Sequence, residues 1–287
     1  MNVSGYFYVA PDKLSDDGKY MEIDGLDKSK YMSDVFYRRY KDYIHKNINP
    51  TGRVAFLYVG GASEHHSHSR NYGCVPSATM PVFSQMGYMS SKIAKRFKGV
   101  EYVSINSNAC ASSMFALHES ERLLQEYDSV IIYGEEWTEP AERLLFSSLN
   151  IDIVCSDGFF VMCLDNKEDG IAKITNTHWK WNPDRSPFDV SVDGYTKVLK
   201  PLANIDYDVI KMHGTGTMAN DHAEHTAISN VFGKDANRIS IKEEIGHTQG
   251  VSTGVELCKM IDEKNYNKVI AVASGLGSFY GSCYMEI

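Results

Sequence analysis

The sequence predicts an α/β fold made of two similar halves. Short apolar runs of strand character, such as RVAFLYV, SVIIYG and YDVIKM, alternate with segments of helical period. The alternation runs twice, breaking near Asn166–Gly170. No low-complexity linker intervenes. The chain therefore reads as one domain over 1–287, with an N-terminal half of about 1–165 and a C-terminal half of about 166–287.

The elements are expected in the following order. Residues 1–50 are tyrosine- and charge-rich, with an amphipathic helix over Ser33–Lys46 carrying Val35, Phe36, Tyr40 and Ile44. Arg53–Val59 is a buried strand that ends at Gly60-Gly61. The loop EHHSHSRN follows; its His65, His66 and His68 lack the spacing and partner ligands of a metal site. Cys74–Lys98 reads as a turn and then a helix, with Pro76 and Pro81 at its start and Met86, Met89, Ile93 and Phe97 as its core stripe.

Tyr102–Ile105 begins like a buried strand and runs through Asn106-Ser107-Asn108-Ala109 to Cys110 and a helix. Ser129–Gly134 is a further strand, Ala141–Phe146 a short helix, and Phe159–Leu164 and Ile171–Trp181 are strands. Tyr207–Met212 leads into His213-Gly-Thr-Gly-Thr and a helix bearing Asp221, Glu224, Ile228 and Phe232. Ile239–Ile241 is a short strand and Val251–Ile261 a helix. Lys268–Ser274 and Ser282–Ile287 close the fold around a glycine-rich turn.

Composition excludes several classes. A formal net charge of -8 argues against non-specific binding to nucleic acid or anionic membranes. No apolar run is long enough to span a bilayer, and the start lacks the features of a signal peptide. The six cysteines show no CxxC pair and suit a reducing cytoplasm. No cofactor is implied: Gly275-Leu-Gly277 does not complete a dinucleotide-binding pattern, and Asp221-His222-Ala-Glu224-His225 fits no zinc signature.

Three residues stand out. Cys110, His213 and His247 each follow a strand and sit at a turn, at the edge where open α/β sheets bind ligands. A cysteine at a helix N-terminus gains from the helix dipole, which favours the thiolate. Each residue alone has a bland reading as core. Their coincidence points instead to nucleophilic chemistry.

These segments resemble those of a known family. NACASSMFAL is similar to the active-site cysteine segment of β-ketoacyl synthases, decarboxylating condensing enzymes of the thiolase superfamily. HGTGTMANDHAEHTAISNVFG resembles their first histidine motif, with Asp221 and Glu224 as its acidic pair, and SIKEEIGHTQG resembles the second, with Lys242 before Gly246-His247. SGLGSFYGSCYMEI looks like the gatekeeper turn and last strand, and CVPSATMPVFSQMGYMSSKIAKRF like the helix before the nucleophile strand. The chain is shorter than ordinary members, Glu244 replaces an asparagine, and Leu276 stands at the gatekeeper position usually held by phenylalanine.

The resemblance implies a thiolase-like α/β/α/β/α fold with two mixed sheets. It implies condensation of an acyl-Cys110 with a malonyl-type thioester, in fatty-acid, polyketide or related biosynthesis. The implied catalytic residues are Cys110, His213 and His247. Lys242 and Glu224 would form a supporting ion pair, and the amides of Cys110 and Leu276, with Gly275 and Gly277 flanking, would form the oxyanion site and gate. Implied partners are acyl carrier protein or coenzyme A thioesters, and a second copy or related subunit forming a homodimer or heterodimer. Two rivals stay open: an acyltransferase or hydrolase using the same cysteine, and a non-catalytic partner subunit.

Overall fold

The computed structural model describes residues 1–15, 18, 20–28, 30, 32–60, 86–138, 153–183 and 190–287. The histidine loop with His65, His66 and His68, the start of the following helix with Cys74, and the short helix around Ala141–Phe146 lie outside these residues.

Ten strands form the main sheet. The N-terminal five are β1 (Asn2–Val9), β4 (Val54–Val59), β5 (Val100–Asn106), β6 (Ser129–Glu136) and β8 (Gly158–Asp165). The C-terminal five are β9 (Ala172–Trp181), β10 (Val209–Lys211), β11 (Arg238–Ile239), β12 (Lys268–Gly275) and β13 (Phe279–Glu286). Their spatial orders are β1-β8-β6-β4-β5 and β9-β13-β12-β10-β11. In each set the first strand is followed in space by the fifth, fourth, second and third. In each, the second to fourth strands pair in parallel and the first and fifth in antiparallel sense. The repeated alternation in the sequence is thus a repeated topology.

The two mixed sheets expected are present as the two strand sets, and β1 joins them edge to edge. The junction is local. β1 pairs with β8 along its length, and its first residues also meet β9, at Asn2↔Lys173 and Val3↔Ala172. A small second sheet joins β2 (Lys13–Leu14), β3 (Tyr20–Glu22) and β7 (Cys155–Ser156). The strand β1 was not anticipated, although its run NVSGYFYV is rich in strand formers.

Helices form three layers. α1 (Met32–Asn47) and α2 (Met86–Ala94) cover one face of the first strand set through Phe36, Ile44, Met89 and Ile93. α4 (Val192–Leu199) and α5 (Met218–Phe232) cover the second set through Tyr195, Val198, Ala227 and Ile228. Between the sets lie α3 (Ser112–Leu123) and α7 (Ser252–Glu263), with Met114, Leu117, Val255 and Leu257 in one core. The short α6 (Lys242–Ile245) precedes α7. Among the described residues no helix is long and apolar enough to cross a membrane.

Burial on β5 differs from expectation. Val103 and Ile105 are 43% and 39% exposed, because β5 pairs only with β4 and ends the sheet. Its residues alternate between cover and exposure rather than being buried throughout.

Close packing of α7 on the sheet depends on a missing side chain. A Cβ on Gly254 would lie 2.2 Å from the Phe160 ring. Gly254→Ala is expected to destabilise the protein by about 1–3 kcal/mol through overpacking. Urea unfolding midpoints check this; an unchanged midpoint would mean that α7 can shift without cost.

Candidate active site

The Cys110 turn is built from backbone and one hydroxyl. Ser112 Oγ accepts the Asn108 N–H at 2.7 Å and donates to Ala109 O at 2.6 Å. Ala109 takes a left-handed φ of 49°, which folds the chain sharply between β5 and α3. Cys110 follows at the entrance to α3. Among the described cysteines Cys110 alone is part-exposed.

The turn between β12 and β13 lies against it. A Cβ on Gly275 would meet Asn108 O at 2.5 Å and Ala111 N at 3.0 Å, so only glycine allows this approach. Leu276, the next residue, is 49% exposed. Gly277 has a φ of 91°, suited to a residue without Cβ.

His213 leaves β10 at a loop where Gly214 and Gly216 both have positive φ. Its backbone is held on both sides. Glu224 accepts the N–H groups of His213 and Gly214, the latter at 2.9 Å, and Lys242 Nζ donates to His213 O at 2.6 Å. Asp221 accepts the Thr215 N–H at 3.2 Å.

His247 is held by β7. Its N–H donates to Val154 O at 2.7 Å, and Ser156 N–H donates to His247 O at 3.0 Å. Gly246, with a φ of 71°, permits the passage, since a Cβ there would meet Val154 O at 2.9 Å. The Gln249 N–H donates to His247 Nδ1 at 2.9 Å, so the neutral ring carries its proton on Nε2 and presents a donor. The His213 and His247 ring centroids are 5.6 Å apart, with planes at 89°. Ser113 at the start of α3 donates to Gly250 O, tying α3 to the His247 loop.

The expected Lys242–Glu224 ion pair is not the one formed. Lys242 Nζ pairs with Glu256 Oε1 at 2.7 Å, while the Glu224 oxygens are taken by the two amides. Glu256 lies on α7 beside the Lys242 turn, whereas Glu224 faces the His213 loop from α5. A second cation, Lys211 of β10, also pairs with Glu256. Both Glu256 and Lys211 are fully buried, and neither was singled out in the sequence. The available signal was a charged residue inside an apolar run, Val255-Glu256-Leu257 and Ile210-Lys211-Met212.

The electrostatics follow from burial. Burial, with Lys242, pushes the His247 imidazole down to about 3. Burial, Lys242, His247 and Lys211 push His213 well below its ordinary range. Both rings are therefore neutral at neutral pH. Burial pushes the Cys110 thiol up to about 11, with Lys242 opposing and the buried Glu136 adding to the rise. Desolvation outweighs the attraction of nearby positive ends and favours the thiol over the thiolate that the helix N-terminus favours, even though the residue is part-exposed. Burial raises Glu224 to about 7, against its two amide donors. Burial would also raise Glu256, but Lys211 and Lys242 outweigh it and hold that carboxyl below its ordinary range. Among the described residues no group of three metal-ligating side chains occurs.

With this geometry in view, comparison with known proteins is informative. Residues 196–271 match the family described as Beta-ketoacyl synthase, C-terminal domain. That segment includes His213, Lys242, His247 and Glu256. Over that segment the chain is similar to the β-ketoacyl synthases. It is 24% identical over 273 residues to the non-reducing polyketide synthase pkiA of Emericella nidulans, which covers 82% of this chain and 11% of that protein. It is 46% identical over 55 residues to nodulation protein E of a Rhizobium species, 18% of this chain and 14% of that protein. The chain thus spans about a tenth of the polyketide synthase it matches over most of its length. Among solved structures, the ishigamide ketosynthase/chain length factor aligns with a TM-score of 0.80 at 14% identity, over 99% of this chain and 98% of that one. A β-ketoacyl synthase from Burkholderia phymatum aligns with a TM-score of 0.79 at 14% identity, with the same coverage. These likenesses establish the thiolase-like fold.

Glu224 makes stability depend on pH. Its folded value of about 7 lies above the ordinary 4.5, so the protonated form is favoured in the folded state. Its contribution is fully present below 4.5 and is lost as pH rises through about 7. Relative to Glu224→Gln, the parent should lose on the order of 1–3 kcal/mol between pH 4.5 and 7.5. Denaturant unfolding of both proteins at the two pH values measures this difference.

Proposed function

We propose that the protein is a condensing acyltransferase. It would join an acyl group held on Cys110 to a malonyl-type thioester, with loss of CO₂. The observation that carries the reading is the convergence of the Cys110 turn, two buried neutral imidazoles and the Gly275–Gly277 turn between the two strand sets. The family match over 196–271 supports it.

The chemistry follows from the side chains. Cys110 sulfur attacks the carbonyl of an acyl thioester. The carrier thiol leaves with the proton that sulfur gives up, and a thioester on Cys110 results. A thiol raised to about 11 keeps its proton until the bond forms and then passes it to the departing carrier sulfur, so the step needs neither imidazole charged. The amides of Cys110 and Leu276 are the oxyanion donors.

The malonyl thioester enters next. Its carbonyl oxygen accepts from His247 Nε2, whose tautomer Gln249 fixes, and from the neutral His213 ring, whose centroid lies 5.6 Å from that of His247. The bond to the carboxylate breaks, CO₂ leaves, and the electron pair is held as an enolate. The nucleophilic carbon attacks the acyl-Cys110 carbonyl, the carbon–sulfur bond breaks, and Cys110 is restored. A solved ketosynthase of this fold is described as bound to an acyl-carrier protein, which supports a carrier-borne substrate here.

His213→Ala and His247→Ala should each lower CO₂ release from malonyl thioester at least about 100-fold while Cys110 still becomes acylated. Intact mass, peptide mapping and CO₂ assay read the two half-reactions. Normal CO₂ release by both variants, or an adduct on Cys258 with Cys110 unmodified, would defeat the assignment. Acylation of the parent without CO₂ release would instead identify a simple acyltransferase.

The exposed β5 edge supports a two-fold dimer, or a heterodimer with a related chain, made by strand pairing. Charging its open face with Val103→Glu should shift sedimentation from dimer toward monomer. A parent that sediments as a monomer at micromolar concentration would refute it.

A further inference from the structure

Lys211 takes no part in the reaction just described, yet among the described lysines and arginines it alone has no exposed surface. It stands on β10 with no solvent exposure, paired in register with Ile239 on one side and Ala271 on the other. Its ammonium meets Glu256 Oε2, and Val272 O lies 3.5 Å away. The other oxygen of Glu256 takes Lys242 Nζ at 2.7 Å, and Lys242 Nζ reaches His213 O at 2.6 Å. These contacts form one line: Lys211, Glu256, Lys242, His213. Its far end is a catalytic imidazole.

The charge count is unusual for a core. One carboxylate serves two buried ammoniums. Burying each ion costs several kcal/mol before pairing, and apolar replacements of such groups are often neutral or stabilising. Stability alone therefore gives weak reason for Lys211. Position gives a stronger one. A carboxylate bound at only one oxygen can turn about its last bond, and Lys242 would follow it. With both oxygens fixed, Glu256 has one orientation, and the Lys242 ammonium is aimed at the His213 carbonyl. Glu224 holds the amide on the other side of the same residue. The groups facing the cluster are His213, His247, Lys242, Glu224, Glu256 and, from β13, Cys283.

We propose that Lys211 is a positioning residue of this site: it locks Glu256, which aims Lys242 at the backbone of His213 and so sets the imidazole for decarboxylation. The proposal rests on the condensing function argued above.

The test separates half-reactions. Lys211→Met should lower CO₂ release about 10- to 100-fold, the usual loss when a supporting partner is removed. Acylation of Cys110, followed by intact mass, should stay within a few-fold of the parent, which a general loss of structure would not allow. Lys211→Arg, which keeps the charge and the carboxylate contact, should recover most of the CO₂ release. Glu256→Gln should show the same selective loss, and the double variant should be no worse than the poorer single one, because both act through one line of contacts. Parental CO₂ release by Lys211→Met, or losses that multiply in the double variant, overturns the proposal. If Lys211→Met does not fold, Glu256→Gln decides, and parental release there overturns it equally. If the parent itself releases no CO₂, the condensing function fails instead. The positional claim is then read from the His213 amide and ring NMR shifts, which should move in Lys211→Met and stay in place in Lys268→Met. Unmoved shifts in Lys211→Met overturn it.

Discussion

Charged groups buried between the two strand sets constrain everything around them. Lys211, Lys242, Glu224 and Glu256 have little or no access to water. Each must therefore find its partners within the protein, at the cost of fixing their positions. The partners found are backbone atoms of His213 and Gly214 and one another. A loop that would otherwise be free to move is gripped at both its amide and its carbonyl. The rigidity of the histidine site is thus a consequence of desolvated charge.

The repeated topology explains why the site lies where it does. In each strand set the third strand is followed by a turn and a helix of the central layer: β5 by Cys110 and α3, β11 by His247 and α7. The two helices share one core, and their starts are tied by Ser113 and Gly250. Packing the halves around this helix pair brings the Cys110 turn of one toward the His247 loop of the other. His213, at the end of the second strand of the C-terminal set, completes the group.

Much of this was legible in the sequence because it is written locally. A strand run, small residues and a reactive side chain mark the turns at Cys110, His213 and His247, and glycine marks where backbone passes backbone. What was not legible depends on residues far apart. Glu224 and Glu256 both lie on helices near a histidine, and nothing in spacing says which one reaches Lys242. The fold decides, by placing α7 beside Lys242 and spending the Glu224 oxygens on amides. The fusion of the two sheets rests on Asn2 and Val3 touching β9, a contact between residues 171 and 169 apart in the register Asn2↔Lys173 and Val3↔Ala172. The exposure of β5 likewise belongs to its place at the sheet edge, since its own residues are strand formers of the kind found in any core.

The same burial that fixes the histidines also sets the chemistry available to them. Burial raises the Cys110 thiol to about 11 and holds both imidazoles below their ordinary range, which disfavours proton transfer from thiol to ring. An imidazolium–thiolate pair would need a proton to move onto a ring surrounded by Lys211 and Lys242, and those cations oppose it. What they favour is a neutral ring that donates or accepts one hydrogen bond, and negative charge that appears on a substrate oxygen. The reaction proposed above, a thioester losing CO₂ to give an enolate, has that charge pattern. In that proposal the buried cations oppose a charged ring in advance and favour an anion formed on the substrate.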